Sequence, residues 1–258
     1  MPFVARVSLA LSRRALVNAM RRPQLLLPLV LIPTLMLAAN VGGLNRTTTL
    51  PGFPAVHGFL DFQLAPAMTQ SLLFGGVAMG VAMALEIEAG FFSRLAVAPI
   101  PRVAIVLGRL GAASAIAVIQ MLWFLSIGLI FGAHVKSGLP GLLVTFGIGI
   151  VAGVAFAALG VALALRARNA STVQGIFPLV FVSLFLSSAY FPRNLLTSPF
   201  DAIARYNPLS YIAEGMRDPI VNSLSAQPVL EGLAAAAGLA VLAVGLSVVT
   251  LRGRLDEA

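Results

Sequence analysis

The stretch SGLPGLLVTFGIGIVAGVAFAALGVALAL, residues 137–165, decides the fold because it contains no Asp, Glu, Lys or Arg. A helix needs about 20 apolar residues to cross the hydrocarbon core of a bilayer. A charged side chain at the centre of such a helix costs about 2.5–3.5 kcal/mol on insertion scales. Inside lipid, backbone amides must bond within their own segment, which favours a helix over an open strand. This stretch is therefore predicted to be a transmembrane helix.

Five further windows without a charged residue lie along the chain, at residues 23–45, 62–85, 110–135, 169–192 and 232–251. Each window is long enough to span a bilayer as a helix. Gly and Pro occur inside them, as at Gly75 and Pro178, and membrane helices tolerate both residue types. The chain is therefore predicted to be an all-α integral membrane protein, one domain of residues 1–258 with six transmembrane helices.

The composition supports lipid as the solvent of this chain. Hydrophobic residues make up 59% and charged residues 10%, against about 45–50% and 25% in soluble domains. The net charge of +8 comes from arginines that cluster between the apolar windows, and no basic surface interleaved with aromatic residues is apparent. Nucleic acid is therefore not an expected partner.

The arginines also predict the orientation of the helices in the membrane. With the N-terminus in the cytoplasm, twelve basic residues lie inside: Arg6, Arg13, Arg14, Arg21, Arg22, Arg94, Arg102, Arg109, Arg166, Arg168, Arg252 and Arg254. Five lie outside: Arg46, Lys136, Arg193, Arg205 and Arg217. Positive charge is enriched on the cytoplasmic side of membrane proteins, so both termini are expected there. The first window is expected to be a retained span, since the basic segment before it is too long for a usual signal peptide.

The N-terminal segment, residues 1–22, is predicted to be an amphipathic helix at the membrane interface. Four arginines, Arg6, Arg13, Arg14 and Arg21, fall within a sector of about 100° on a helical wheel. The opposite side carries Leu9, Ala15, Leu16, Ala19 and Met20, interrupted by Ser8 and Ser12. Arginine heads can lie among lipid phosphates. A basic tail that only fixes topology is the alternative.

Two connecting segments have helical patterns of their own. In residues 86–104, charges flank a short apolar core, and Pro99 and Pro101 end any helix there, which predicts a short cytoplasmic helix. The external segment, residues 193–227, predicts two short helices separated near Asn207 and Pro208, because the residue before a proline avoids helical angles. Residues 45–61, with two glycines and two prolines, predict an irregular external loop.

The sequence lacks the residues that most enzyme sites need. It has no Cys, and its only histidines, His57 and His134, need a third ligand to form a metal site. A P-loop requires a Lys after a Gly, but the only Lys, Lys136, follows Val135. ATP, if used, must therefore bind another chain. No predicted span carries a charge at its middle, which disfavours a carrier that works by proton relay.

Two groups of residues flank the middle spans. The first group is Glu88-Ala-Gly90, Arg94-Leu95, Pro99 and Gly108-Arg109. The second group is Tyr190-Phe191-Pro192, Asn207-Pro208-Leu209-Ser210-Tyr211, Glu214 and Arg217. In these groups, and in the layout of segments over essentially the whole chain, the sequence resembles the ABC-2-type permeases, in particular the daunorubicin-resistance permease branch of bacterial ABC exporters.

The resemblance implies a fold like that of type V ABC exporters and a set of partners in the bacterial plasma membrane. A second permease subunit, identical or a paralogue, and two ATP-binding subunits would complete the complex, with ATP and magnesium held by those subunits and no cofactor in this chain. Residues 86–99 would form a coupling helix seated in the ATPase, with Glu86, Glu88, Gly90, Arg94 and Pro99 as its key positions. The external segment would be re-entrant, with Asn207, Pro208, Tyr211, Glu214 and Arg217 as its motif. The cargo would be amphipathic or lipid-like.

Each of these roles has an alternative. Glu86, Glu88 and Arg94 are either coupling residues or solvated loop charges. Glu214 and Arg217 either form a structural pair, being three residues apart on a helix, or contact cargo. Six large residues either line a cargo path or only pack: Phe74, Met79, Met83, Met121, Trp123 and Phe124. The chain as a whole could instead be a scaffold that transports nothing, or an intramembrane enzyme.

Overall fold

The computed structural model describes residues 2–90 and 102–256, and that part of the chain contains ten α-helices and no strand. The helices are α1 (Pro2–Met20), α2 (Pro23–Leu44), α3 (Phe59–Glu88), α4 (Arg102–Ile130), α5 (Gly138–Ala167), α6 (Ala170–Gly175), α7 (Phe177–Phe185), α8 (Phe200–Tyr206), α9 (Pro208–Val221) and α10 (Ala226–Asp256). The prediction of an all-α fold is confirmed for these residues.

Five helices of the described chain are long and apolar enough to cross a membrane, namely α2, α3, α4, α5 and α10. They coincide with five of the six predicted windows. In the remaining window, residues 169–192, the chain forms the two shorter helices α6 and α7, which together are apolar from Ala170 to Phe185. The break follows Gly175, and Pro178 lies at the first positions of α7, where its missing N–H costs no helical bond.

The helices α3 and α5 form the centre of the bundle. In their most apolar windows 78% and 72% of the residues are buried, against 17% in α2 and 22% in α10. The exposed side chains of the two peripheral helices are mainly aliphatic, such as Leu31 and Leu35 of α2 and Val241 and Leu242 of α10. These faces are suited to lipid. The core lies where α2, α4 and α9 pack around α3, and where α9 and α10 pack on α5.

Glycines bring the backbones of α3 and α5 into direct contact. A Cβ atom added to Gly160 of α5 would lie 2.0 Å from the carbonyl oxygen of Gly76 in α3. A Cβ added to Gly80 would lie 2.7 Å from the carbonyl oxygen of Gly160. In lipid no hydrophobic effect drives helices together, so the van der Waals contacts made at such close approach stabilise the association of the two helices.

Helix α1 packs on α4 where two glycines of α4 leave room for it. Ser8, Leu11 and Ser12 of α1 lie against Gly108 and Gly111 of α4. Ala15 and Ala19 are buried, whereas Leu9 and Met20 are 72% and 59% exposed. The serines, which interrupt the apolar side of the helical wheel, are part of the contact because the two glycines present no side chain opposite them.

Helix α9 lies inside the bundle. It begins at Pro208 after the short α8, so the break between the two helices is where the sequence predicted it. The Asn207 side chain accepts a hydrogen bond from the Leu209 N–H at 3.0 Å and caps α9. Leu209, Ile212 and Met216 are buried in the main core. This short helix therefore belongs to the protein interior and does not lie on the surface.

We predict that Gly160→Ala destabilises the protein, because the new methyl group meets backbone atoms of α3 that cannot rotate away. Overpacking of this kind costs about 1–3 kcal/mol. Thermal unfolding of the purified protein in detergent measures the effect. Gly147→Ala is the matched control, since it lies on the same helix and a Cβ there has no neighbour within 4 Å. Equal unfolding temperatures for the two variants would contradict the close contact between α3 and α5.

Candidate functional site

At the end of the bundle where α3 terminates, which we call the Glu86 end, two acidic residues join α3 to other helices. Glu86 forms an ion pair with Arg109 of α4, and the two side chains are 12% and 11% exposed. Because the pair is shielded from water, removing either charge would leave the other buried without a partner and would destabilise the folded protein. Glu86 belongs to the last turns of α3, and the interpretation of this residue as a solvated loop charge is wrong.

Glu88 reaches a different helix. Its Oε1 atom accepts a hydrogen bond from the backbone N–H of Ala170, at 2.8 Å, at the start of α6. The side chain of Asn169 caps the same helix by accepting from the N–H groups of Ser171 and Thr172. Glu88 is exposed but bonded. Together the two glutamates connect the end of α3 to both α4 and α6.

Gly90 lies two residues beyond the end of α3 at Glu88. Gly90 has φ +69, in the left-handed region that glycine adopts without strain and that commonly ends a helix. The chain therefore turns sharply after Glu88. The two remaining predicted coupling residues, Arg94 and Pro99, lie outside the described residues, as does most of the predicted helix at 86–99.

Helix α1 also reaches the Glu86 end. A small cavity there is lined by Asn18 of α1, by Arg22 just before α2, by Glu86 and by Arg109. The buried ion pair thus lies directly beneath the N-terminal helix. The end of α3 therefore contacts α4 and α6 through its two glutamates, and α1 lies beside the Glu86–Arg109 pair.

At the opposite end of the bundle, which we call the Arg217 end, a buried arginine holds three segments together. The Arg217 guanidinium lies 3.7 Å from the centre of the Phe62 ring in α3. It donates hydrogen bonds to the backbone carbonyls of Phe62, Ser188 and Ala189. Burial lowers the pKa of Arg217 to about 10 and the nearby Glu214 carboxylate opposes the shift, so the side chain stays charged at neutral pH.

Glu214 forms its ion pair with a different arginine. Its Oε2 atom is 3.0 Å from the Arg193 guanidinium, and its other oxygen accepts from the Ser188 hydroxyl. The alternative in which Glu214 and Arg217 pair directly is therefore wrong. Arg217 is a structural clamp on backbone carbonyls, whereas Glu214 and Arg193 remain 25% and 32% exposed. Arg193 also lies over the Tyr211 ring at 4.8 Å.

The rest of the predicted external motif stabilises the turn between α8 and α9. Asn207 caps α9 and donates to the carbonyl of Ser183, at 2.7 Å. The Tyr211 hydroxyl donates to the carbonyl of Arg205 at 2.8 Å. Pro208 is the first residue of α9. The motif therefore builds one connected structure around α9.

An acidic residue that the sequence analysis did not single out also lies at the Arg217 end. Asp61, in the first turn of α3, is 3% exposed. Its two carboxylate oxygens accept from the backbone N–H groups of His57, at 3.2 Å, and His134, at 2.9 Å. The imidazole rings of these histidines lie 4.5 Å apart. The only local signal was an acidic residue immediately before a predicted span, where a negative charge favours the helix N-terminus.

One match to a known protein family covers the residues of both ends. The model of the family described as "ABC-2 type transporter" matches residues 7–221, a range that includes both the Glu86 end and α9. The chain belongs to this family. It is thus an integral membrane protein of an ABC-2 transporter type, as its five long apolar helices also indicate.

Two curated relatives of this ABC-2 family member come from Mycobacterium tuberculosis. Each is described as a "Probable doxorubicin resistance ABC transporter permease protein DrrC", one from strain CDC 1551 / Oshkosh and one from strain ATCC 25618 / H37Rv. Each is 23% identical over 168 residues, or 65% of this chain. The match spans 61% of the length of these relatives. The resemblance to the drug-resistance branch of the ABC-2 permeases is confirmed.

In this ABC-2 chain, the large residues considered for a cargo path mostly pack in the interior. Five of them are at most 3% exposed: Phe74, Met79, Met83, Met121 and Phe124. Trp123 differs, since it is 47% exposed and donates to the Thr34 hydroxyl of α2 at 3.1 Å. The packing alternative therefore holds for the five buried residues. Within the described chain, no group of three or more His, Cys, Asp or Glu residues has the geometry for a metal ion.

We predict that Arg217→Met destabilises the protein by roughly 2–4 kcal/mol, because three buried carbonyls lose a charged donor. Thermal unfolding in detergent measures the change. Arg205→Met is the control at the same end, since Arg205 is 66% exposed and forms only a surface pair with Asp201. We expect the control to change stability by less than about 0.5 kcal/mol. Similar losses in both variants would show that Arg217 is not a clamp.

For Glu86 and Arg109 we predict strong coupling in a double-mutant cycle. Glu86→Gln alone leaves the buried Arg109 charge without its partner and is expected to cost about 3–5 kcal/mol. The double variant Glu86→Gln with Arg109→Gln removes both charges, so it should be more stable than the sum of the single changes by at least about 1 kcal/mol. Unfolding midpoints of the four proteins provide the measurement. Additive effects would refute the ion pair.

Proposed function

We propose that this chain is the membrane-spanning subunit of an ATP-driven ABC exporter in the bacterial plasma membrane. Its cargo is an amphipathic or lipid-like compound that leaves the cytoplasm or the inner leaflet. ATP and magnesium bind to two separate ATP-binding subunits, and a second permease subunit, a copy or a paralogue, completes the complex. Support comes from membership of the ABC-2 family and from the "doxorubicin resistance" permease named among the relatives.

The observation that carries the mechanism is the double connection at the end of α3. In the sequence, the segment between Gly90 and Arg102 joins α3 to α4. Glu86 joins α3 to Arg109, and Glu88 joins it to the N-terminus of α6. A displacement of the connecting segment by an ATPase is therefore passed on to three helices together. In this proposal residues 86–104 are the coupling segment and the Glu86 end faces the cytoplasm, as do both termini.

The remaining parts of the proposal concern topology. In addition to the five long helices, α6 and α7 together serve as one membrane segment that is broken after Gly175. With this segment the chain has six spans. Helix α1 lies at the cytoplasmic interface, with Arg6, Arg13 and Arg21 exposed for lipid phosphates. Residues 193–227 form the re-entrant external segment. Closure of the ATPase pair tilts these elements as rigid bodies and opens the cargo path outward.

Reconstitution with the ATPase encoded by a neighbouring gene tests this proposal. We expect the two proteins to co-purify from detergent, and proteoliposomes that contain both to transport doxorubicin only when ATP is supplied. Doxorubicin is the probe because the two relatives are described as doxorubicin resistance permeases. If no P-loop ATPase co-purifies, the proposal of an ABC exporter is wrong. A stable complex that hydrolyses ATP without transporting any amphiphile would favour the scaffold alternative.

The coupling role of Glu88 gives a graded prediction in the same assay. Glu88→Ala removes the bond to the Ala170 N–H, so transport should fall about tenfold, the effect of losing about 1.4 kcal/mol, while ATP hydrolysis continues. Glu88→Gln keeps an uncharged acceptor and should lie between Glu88→Ala and the wild type. Glu231→Ala is the control, because Glu231 only accepts from Gln227 at the surface. Unchanged transport in Glu88→Ala would contradict the coupling role.

A further inference from the structure

The Arg217 end of the bundle contains an apolar crevice that none of the roles above uses. It lies between α2 and α4, with α3 as its floor, and encloses about 520 Å³. We call it the outer crevice, defined by Thr34, Leu37 and Val41 of α2, Asp61 of α3, Ile127 of α4 and Phe131 just after α4. Its volume lies within the range of about 300–1,000 Å³ typical of sites for small molecules.

The outer crevice is open at the surface between α2 and α4. Phe131 at its rim is 73% exposed, and Ala38 of α2, which also lines it, is exposed. At the Thr34 end, Trp123 of α4 donates to the Thr34 hydroxyl and so bridges the two helices. The walls between these two points are aliphatic and aromatic. An occupant must therefore present an apolar body several carbon atoms long.

The polar groups of the crevice are concentrated at one end. Asp61, His57 and His134 line both the crevice and a smaller neighbouring cavity of about 250 Å³. The Asp61 carboxylate is 3% exposed, and its partners are two backbone N–H groups, which carry no net charge. No Lys, Arg or His side chain of the described chain forms an ion pair with it. Lys136 lines the smaller cavity only.

The Asp61 carboxylate has backbone hydrogen-bond donors but no ion-pair partner among the described residues. Removing an ionised group from water is costly unless an opposite charge accompanies it. The two backbone donors orient the Asp61 oxygens, and each oxygen retains a lone pair for another donor. A cation at the polar end of the crevice would complete the site.

We propose that the outer crevice binds an amphipathic ammonium ion, whose apolar tail lies between α2 and α4 and whose positive head pairs with Asp61. The ligand enters laterally from the leaflet at the Arg217 end. Its head also lies beside the His57 and His134 rings, which provide flat, polarisable surfaces. The site lies wholly within this chain and does not depend on the ATPase, so it stands or falls independently of the exporter proposal.

The single tryptophan of the chain makes this site directly measurable. Trp123 is bonded to Thr34, which lines the crevice, so a heavy atom on the ligand tail quenches its fluorescence. The probe is 12-bromododecyltrimethylammonium, added to the purified chain in nanodiscs of the neutral lipid phosphatidylcholine. The matched probe is 12-bromododecanol, which has the same tail and no charge. We expect saturable quenching by the ammonium ion at concentrations about tenfold lower than those required for the alcohol.

Variants separate the contribution of the charge from that of the tail. Asp61→Asn should weaken binding of the ammonium probe about tenfold, equivalent to about 1.4 kcal/mol, and change binding of the alcohol by less than about twofold. Val41→Phe, which fills the apolar part, should weaken both probes. Asp201→Asn is the control, because it removes a carboxylate at the same end that is already paired with Arg205.

Three results would overturn the proposal: quenching that does not saturate, equal affinity of the two probes for the wild-type protein, or unchanged ammonium binding in Asp61→Asn. If Asp61→Asn fails to fold, the affinities of the ammonium and alcohol probes for the wild-type protein still test whether the site prefers a positive charge. A bromododecyl phosphocholine that binds as tightly as the ammonium probe would also refute the requirement for a net positive charge.

Discussion

The contact of α3 with α5 at Gly76 and Gly160 positions the rest of the molecule. Lipid tails are as apolar as leucine side chains, so helices in a bilayer gain little from simple burial and depend on close packing. With no side chain between them, the two backbones meet directly. Helices α2, α4 and α9 then pack around α3, and α10 packs against α5 and α9. Both ends of the bundle take their geometry from this central pair.

Charge on α3 is confined to its two ends, and every carboxylate there is held by another element. Asp61 accepts from the backbone at His57 and His134, Glu86 pairs with Arg109, and Glu88 accepts from Ala170. Between these ends the helix carries no charged residue. Helix α3 therefore runs from the segment proposed to meet the ATPase to the crevice proposed to bind a cation.

Several features of the site were predictable because their signals are local. The cap at Asn207, the break before Pro208 and the turn at Gly90 follow from residue types at defined positions. The packing of α1 was not predictable in this way. Ser8 and Ser12 weaken the apolar face of the helical wheel, yet they form the contact because Gly108 and Gly111 lie opposite. A wheel shows the polarity of one helix but not the shape of the surface it meets.

The sequence by itself determined which segments are long and uncharged enough for lipid, and it identified the two motif regions within the family match. The absence of charge over twenty residues is a local property, readable without any contact. Only the tertiary structure decided which charges meet. Glu86 and Arg109 are 23 residues apart, and Asp61 and His134 are 73 apart. The same holds for the choice of Arg193 over Arg217 as the partner of Glu214. Such pairings depend on how the helices cross, and the crossings are set by shape complementarity between distant glycines, which no single segment encodes.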